Sequence, residues 1–340
     1  MNHDTPLSPL PLRHLFDAQR RVLTARQLRD HGVPATETAE RCRPGGPWQQ
    51  VLPGVYVLHP GPPTSEERLH AVLLYATARG TGVPGQGGER PAAPEAMITG
   101  LAALALHGFA AAPPLLSLDR IEVLVSRGRR LRSTGFAQII RAPELPAPRR
   151  ITGVPTAPVA RALADAVARL ADVSTVRRLL TEAVRGGHCE AASVVRELSR
   201  ARLLTRPHMV DAVDALVAEG RALAEQRLYA TVRQCDLPDP LWNVDLRLPG
   251  GPHLGGVDAF WPEQSVAVEI DTRASRPEDG PRHSSCDRKR EYLERLGITL
   301  IRCLPRTLRE APEQQAAVIR TALMAAADRE PSSYVVVLPR

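Results

Sequence analysis

Residues 266–271, Val-Ala-Val-Glu-Ile-Asp, constrain the fold more tightly than any other stretch of this chain. Alternation sends Val266, Val268 and Ile270 to one face of a strand, and Ala267, Glu269 and Asp271 to the other. Gly256–Trp261 reads as a second strand, with a tight turn near Glu263 and Gln264, so Asp258 comes opposite or diagonal to Glu269. Downstream, a basic helix containing Asp287-Arg288-Lys289-Arg290, capped by Ser284 or Ser285 and stopped at Gly297, leads into a strand, Ile298–Arg302. Three carboxylates on one face repel one another unless a cation neutralises them. Oxygen-only ligands favour Mg²⁺ or Mn²⁺ over zinc, and Asp258 and Glu269 are the candidate metal ligands. A metal held there activates water and stabilises charge on a phosphodiester. Lys289, on the first turn of the helix, is the candidate cation for the phosphate. The competing reading has Asp271 capping or pairing with an arginine, and Arg288, Lys289 and Arg290 forming an exposed face.

Two or three domains are expected of 340 residues. Aromatics make up only 4% of the chain, so aliphatic side chains must do most of the packing. Of 44 basic residues one is lysine, Lys289, and 43 are arginine, a bias that makes arginine count alone weak testimony to nucleic-acid binding. Distribution says more. From Glu225 onward 16 basic face 17 acidic residues, whereas the first 224 residues carry 28 basic and 20 acidic, so the charge surplus is N-terminal. The five cysteines are scattered without a CxxC pair, which argues against a zinc knuckle or a disulfide framework and fits reduced thiols in a cytoplasm. No apolar run approaches the ~20 residues that span a bilayer, so a soluble protein with no membrane partner is expected.

Residues 11–60 read as one unit. A first helix covers Leu12 to Arg21. Thr24 and Gln27 have capping-box spacing ahead of a second helix, and Gly32 sits at its C-terminal cap. Pro34 opens a third helix, ended by Pro44-Gly45-Gly46, and Trp48–Leu58 forms a hairpin turning at Pro53-Gly54. Three short helices and a hairpin follow the order of a winged helix-turn-helix, in which the helix after the turn enters the major groove. Arg26, Thr36, Arg41 and Arg43 are its candidate DNA contacts, although Glu37 and Glu40 on the same helix repel phosphate. The alternative is a small helical domain that never touches DNA. A helix is expected over 64–80, a Gly/Pro-rich loop over 80–95, a helix bearing His107, and strands at Ile121–Ser126 and Phe136–Ala142. Arg127, Arg129, Arg130 and Arg132 lie between those strands, either as a solvated loop or as a clamp on a phosphate backbone. A turn at Ile151–Pro155 leads into a long helix. Residues 171–222 read as wholly helical, a spacer or dimerisation surface.

The N-terminal half, through Trp48–Leu58, Ile98–Phe109 and Gly153–Val167 with Thr156, Arg161 and Asp165, resembles the AbiEi-type antitoxins and related winged-helix regulators. That resemblance covers about residues 11–170 and implies a DNA-binding protein. The C-terminal part resembles a domain family related to the very-short-patch-repair endonucleases, within the PD-(D/E)xK fold. Glu225 on the opening helix, Asp258, Glu269, Asp271, the Asp287–Arg290 run and Arg302 carry it. It implies catalytic roles for Glu225, Asp258, Glu269, Asp271 and Lys289. Two departures stand out: Asp271 occupies the usual lysine position, and Thr272 and the distant His283 replace the family's glycine and nearby histidine.

The expected architecture is therefore an α+β multidomain chain. It comprises a winged helix-turn-helix (11–60), an antitoxin-like α/β domain (61–170), a helical spacer (171–222) and a restriction-endonuclease-like α/β/α domain (223–340). Two functions stay open: a DNA-binding regulator or antitoxin-like protein with a degenerate nuclease-like domain, or a Mg²⁺-dependent DNA endonuclease. The expected partners are double-stranded DNA and a cognate toxin or a second copy of the chain.

Overall fold

The computed structural model describes residues 21–77, 95–251, 253–272, 283–327 and 335–339, with only the backbone of 207, 208 and 283–288. The expected helix over 12–21 and the 80–95 loop, save the last residue of each, and the side chains of His283 and Arg288 lie outside this description; the backbone at Ser284 and Ser285 is already helical, so neither stands before the helix as the expected cap. The architecture is mixed α+β, with eleven α-helices and three sheets among the described residues. The chain divides into two compact units, 1–179 and 180–340.

In the first unit, β1 (Val22–Thr24) hands over to α1 (Ala25–Asp30) through a capping box. The Gln27 amide donates to Thr24 Oγ1 at 3.2 Å, and the Thr24 amide donates to Gln27 Oε1 at 2.9 Å. Gly32, at φ 80°, turns the chain into α2 (Ala35–Arg41). Strands β2 (Gln49–Leu52) and β3 (Val55–Val57) turn at Pro53-Gly54, where Gly54 takes φ 73°. The sheet order is β1-β3-β2, antiparallel throughout, over a core of Leu23, Leu28, Val33, Trp48 and Leu58. α3 (Ser65–Thr77) packs on this sheet and also on the next one.

The second sheet has order β6-β5-β4-β8-β7, built from β4 (Ala96–Thr99), β5 (Ile121–Ser126), β6 (Ala137–Ala142), β7 (Arg149–Ile151) and β8 (Val154–Thr156). β5 and β6 run parallel although only residues 127–136 join them. That crossover carries the expected basic turn. α4 (Gly100–Leu106) and α5 (Val159–Val167) pack together against this sheet. The turn expected at the start of this segment lies at Thr152-Gly153, where it joins β7 and β8 into a hairpin that was not expected. Both segments expected as separate domains, 11–60 and 61–170, fall within one compact unit.

The unit division falls inside α6 (Val173–Arg185). In the second unit α7 (Ala191–Arg200) precedes α8 (Pro207–Gln234), which runs unbroken across the boundary expected at 222/223. The wholly helical reading of 171–222 misses the breaks near 186–190 and at Arg202, which takes φ 56°. A five-stranded sheet follows, of order β12-β11-β10-β9-β13: β9 (Leu241–Arg247), β10 (His253–Trp261), β11 (Val266–Ile270), β12 (Thr299–Cys303) and β13 (Val336–Pro339). Only the β11–β12 pair is parallel, reached through α9 (His283–Arg295). α10 (Pro305–Glu310) and α11 (Pro312–Ala327) complete the unit. Val266, Val268 and Ile270 share one apolar cluster with Ala224, Leu228 and Val232 of α8 and Ile319 and Leu323 of α11. Ala267 joins the other cluster with Leu293 of α9, Phe260 and Leu300. The alternation read in residues 266–270 is thus present, and the sheet lies between two helical layers.

Candidate nucleic-acid interface and carboxylate cleft

On the first unit, α2 leaves Ala35, Thr36, Ala39 and Glu40 exposed. Its arginines are engaged by its own acids: Arg41 pairs with Glu37 and lies 4.5 Å above the Trp48 ring, and Arg43 approaches Glu40 at 3.7 Å. Arg26 is exposed, 4.0 Å from Asp30. Surface pairs of this kind contribute little and yield readily to a phosphate. In the β5–β6 crossover Arg127, Arg130 and Arg132 are exposed. Arg129 is used internally: it pairs with Glu95 and donates to the carbonyl of Ala76 at the end of α3. The Tyr75 hydroxyl donates to the Arg132 carbonyl at 2.8 Å, so the crossover is fastened to α3 by backbone and side chain alike.

Thr156, Arg161 and Asp165 fall at a structural knot. Buried Asp165 accepts from Thr99 Oγ1 at 2.6 Å and from Arg161 Nε and Nη2 at 2.9 and 2.8 Å. Thr156, fully buried, donates to the Val154 carbonyl. His107 caps the end of α4, with Nε2 2.8 Å from the Ala157 carbonyl. Glu122, which no sequence signal singled out, lies beside this knot. Burial pushes its carboxyl up to about 7; the Leu101 amide and Arg169 oppose the shift, and Asp165 adds to it.

In the second unit the sequence candidates part company. The register of β10 and β11 pairs Ala259 with Val268, and one step further sets Asp258 beside Glu269 in the ladder. Alternation on β10 breaks at this point. Val257 and Ala259, two residues apart, belong to opposite apolar clusters, as do Val244 and Trp242 across from them on β9. Asn243 between them takes φ 50°, a left-handed conformation that costs a non-glycine residue energy and often marks a functional site. Asp258, 3% exposed, therefore faces α8: Oδ1 accepts from Arg221 Nη2 at 2.5 Å and Oδ2 from the Ile270 amide at 2.6 Å. Arg221 Nε also holds Glu225 Oε1 at 2.8 Å. Glu269 is held from the other helical layer, by Lys289 Nζ of α9 at 3.1 Å. Lys289 donates as well to the Gly256 carbonyl at 2.9 Å, and its stem crosses Gly255, where a Cβ would stand 2.8 Å from Lys289 Cε.

Asp258 and Glu225 line a cleft of about 410 Å³ together with Ala222, Gln226, Leu228, Tyr229, Trp242 and Asn243. Asp271 lines a different, 180 Å³ cleft with Ser193, Arg196, Thr272 and Arg306. The expected single face of Asp258, Glu269 and Asp271 is thus divided: the break at Asn243 turns Asp258 toward α8, while Glu269 keeps the opposite orientation. The Cys303 thiol, buried near Asp258, is pushed up to about 12 by burial and then by that carboxylate, so it is an inert core group.

As paired, this donor set does not fit a divalent cation. Both Asp258 oxygens and one Glu269 oxygen are held by the chain's own donors, and among the described residues no group of three or more His, Cys, Asp and Glu side chains is gathered to hold an ion. No helix among the described residues is long and apolar enough to cross a membrane. Arg221, Tyr229, Trp242 and Asn243 escaped the reading of the sequence. Only Arg221 left a trace there, as a base four residues before Glu225 on a helix. No protein-family model matches the chain, and no curated protein matches it in sequence.

Proposed function

We propose that this chain is a DNA-binding protein of the regulator or antitoxin-like kind, which grips duplex DNA with its first unit and carries a nuclease-like second unit. One observation carries the reading: residues 22–57 run strand, helix, helix, hairpin and close into the sheet β1-β3-β2. This is the order of a winged helix-turn-helix, whose second helix enters the major groove while the hairpin follows the backbone. Ala35, Thr36 and Ala39 form an exposed face of small side chains on α2, suited to close approach and to contact with thymine methyl groups. Arg26 and Arg43 are exposed, and together with Arg127, Arg130 and Arg132 they offer charge for phosphates. Such a protein works in the cytoplasm, alone, with a second copy or with a cognate toxin. The test is a mobility shift of the full chain on genomic duplex fragments at low salt, with Thr36→Glu placed on the exposed face of α2. Binding weakened at least about tenfold by this one charge is the expected result; no shift on any fragment sinks the reading.

A Mg²⁺-dependent endonuclease is the second reading, favoured by Glu225 and Asp258 lining one cleft. It requires Arg221 to leave Asp258 and Glu269 to leave Lys289 and turn to the same face. Its measure is duplex cleavage in MgCl₂ that disappears in Asp258→Ala and Glu269→Ala; cleavage unchanged in both variants rules it out.

A further inference from the structure

The cleft between α8 and β9 is walled by aromatic rings in a chain that has few. Tyr229 and Trp242 stand with ring centroids 5.1 Å apart and planes inclined at 44°. Tyr229 is 46% exposed, and the Arg233 guanidinium lies 5.7 Å from its centroid. The chain holds only three tryptophans and five tyrosines, and the other two tryptophans, Trp48 and Trp261, are buried in cores. The remaining lining is mixed: Ala222 and Leu228 are apolar, and Glu225, Asp258, Gln226 and Asn243 supply acceptors. The volume of about 410 Å³ falls within the range of small-ligand sites.

We infer that this cleft binds a nucleobase, stacked on the exposed ring of Tyr229 beside Trp242, with its polar edge toward Glu225, Gln226 and Asn243. A flat ring meets aromatic walls through stacking, which holds each base of a single-stranded or extruded nucleic acid. Glu225 and Asp258 line the cleft and share one cation, Arg221, so the charge there remains acidic; the ligand's base enters it and its phosphate stays outside. An acceptor-rich wall selects bases whose major-groove edge bears an exocyclic amine, cytosine or adenine, over thymine, whose same edge offers O4 and a methyl group. The inference rests on the proposed nucleic-acid function only for the class of ligand; the geometry of the cleft stands by itself.

Titration of the full chain with cytidine, adenosine and thymidine, followed by tryptophan fluorescence, tests it. Saturable quenching is expected with cytidine or adenosine at lower concentration than with thymidine, and the signal disappears in Trp242→Phe. Tyr229→Ala is expected to weaken binding roughly fivefold or more, the lower end of what removing one stacking aromatic costs. The near-ultraviolet dichroism of buried Trp261 reports whether that variant remains folded. Absence of saturation with every nucleoside overturns the inference, as does equal affinity of folded Tyr229→Ala. Binding of N-acetyltyrosinamide as tight as that of cytidine also overturns it, since it would make the cleft a peptide site. Duplex binding through the first unit is scored separately with Thr36→Glu, so failure of one reading is distinguishable from failure of the other.

Discussion

Glu122 illustrates how much of this molecule is decided by single contacts between distant residues. Its carboxyl accepts from the Leu101 amide at 3.2 Å and lies so close to Gly100, at φ 62°, that a Cβ there would stand 1.4 Å from Oε2. A carboxyl raised to about 7 in the folded chain holds a proton that the unfolded chain releases near its ordinary value of 4.5. Its contribution is therefore fully present below about pH 4.5 and is lost as pH rises through 7, by up to about 3 kcal/mol. Melting of Glu122→Gln across that range is expected to show a flatter pH dependence than the parent; an identical slope would show that Glu122 is not the group responsible. Arg221 is the second such residue. Arg221→Ala strands buried Asp258 and removes the pair to Glu225, at a cost of about 2 kcal/mol, reduced from that of a fully buried pair because Arg221 is partly exposed. Adding Asp258→Asn is expected to recover part of that loss in denaturant titration. Additive losses would show that the two side chains do not depend on each other.

Elements differ in how far the sequence announces them. α1 is legible because Thr24 and Gln27 supply both halves of a capping box, and Thr24→Ala is expected to cost about 1 kcal/mol in thermal unfolding. The β2–β3 hairpin and β11 are legible for equally local reasons, a Pro-Gly turn and a clean period of two. β1, β7 and β8 are not, because three residues give no period and each strand exists only through its neighbour's hydrogen bonds. β4 is hidden by the helix that begins at its end, with Thr99 in the strand and Gly100 already in α4. The candidate site was half legible. Asp258, Glu269 and Glu225 were found by residue type and order, but alternation assumes an unbroken strand. The switch of faces at Asn243 and Asp258 comes from a left-handed residue that asparagine tolerates without requiring. Asn243→Gly is expected to leave Tm unchanged or raise it, since glycine adopts that conformation at no steric cost, whereas Asn243→Val is expected to lower it. A lower Tm for Asn243→Gly would mean that the amide makes a contact worth more than the strain.

At the scale of the molecule, chemistry and charge are divided between two compact units. The basic surplus belongs to the N-terminal part of the sequence, and the carboxylate cleft belongs to the second unit, where cations of the chain itself already hold the acids. On the proposed function, this division assigns nucleic-acid affinity to the first unit and leaves the second to read or hold what is bound. The most direct measurement is the affinity of the full chain for its tightest duplex fragment as a function of NaCl, alongside Arg127→Ala/Arg130→Ala/Arg132→Ala and Glu225→Ala/Asp258→Asn. The expected result is a log–log slope on the order of −3 to −5, made shallower by roughly one for each phosphate-contacting arginine removed. The carboxylate variant should leave that slope unchanged. A slope near zero, or one altered by the carboxylate variant and untouched by the arginine variant, would contradict the account.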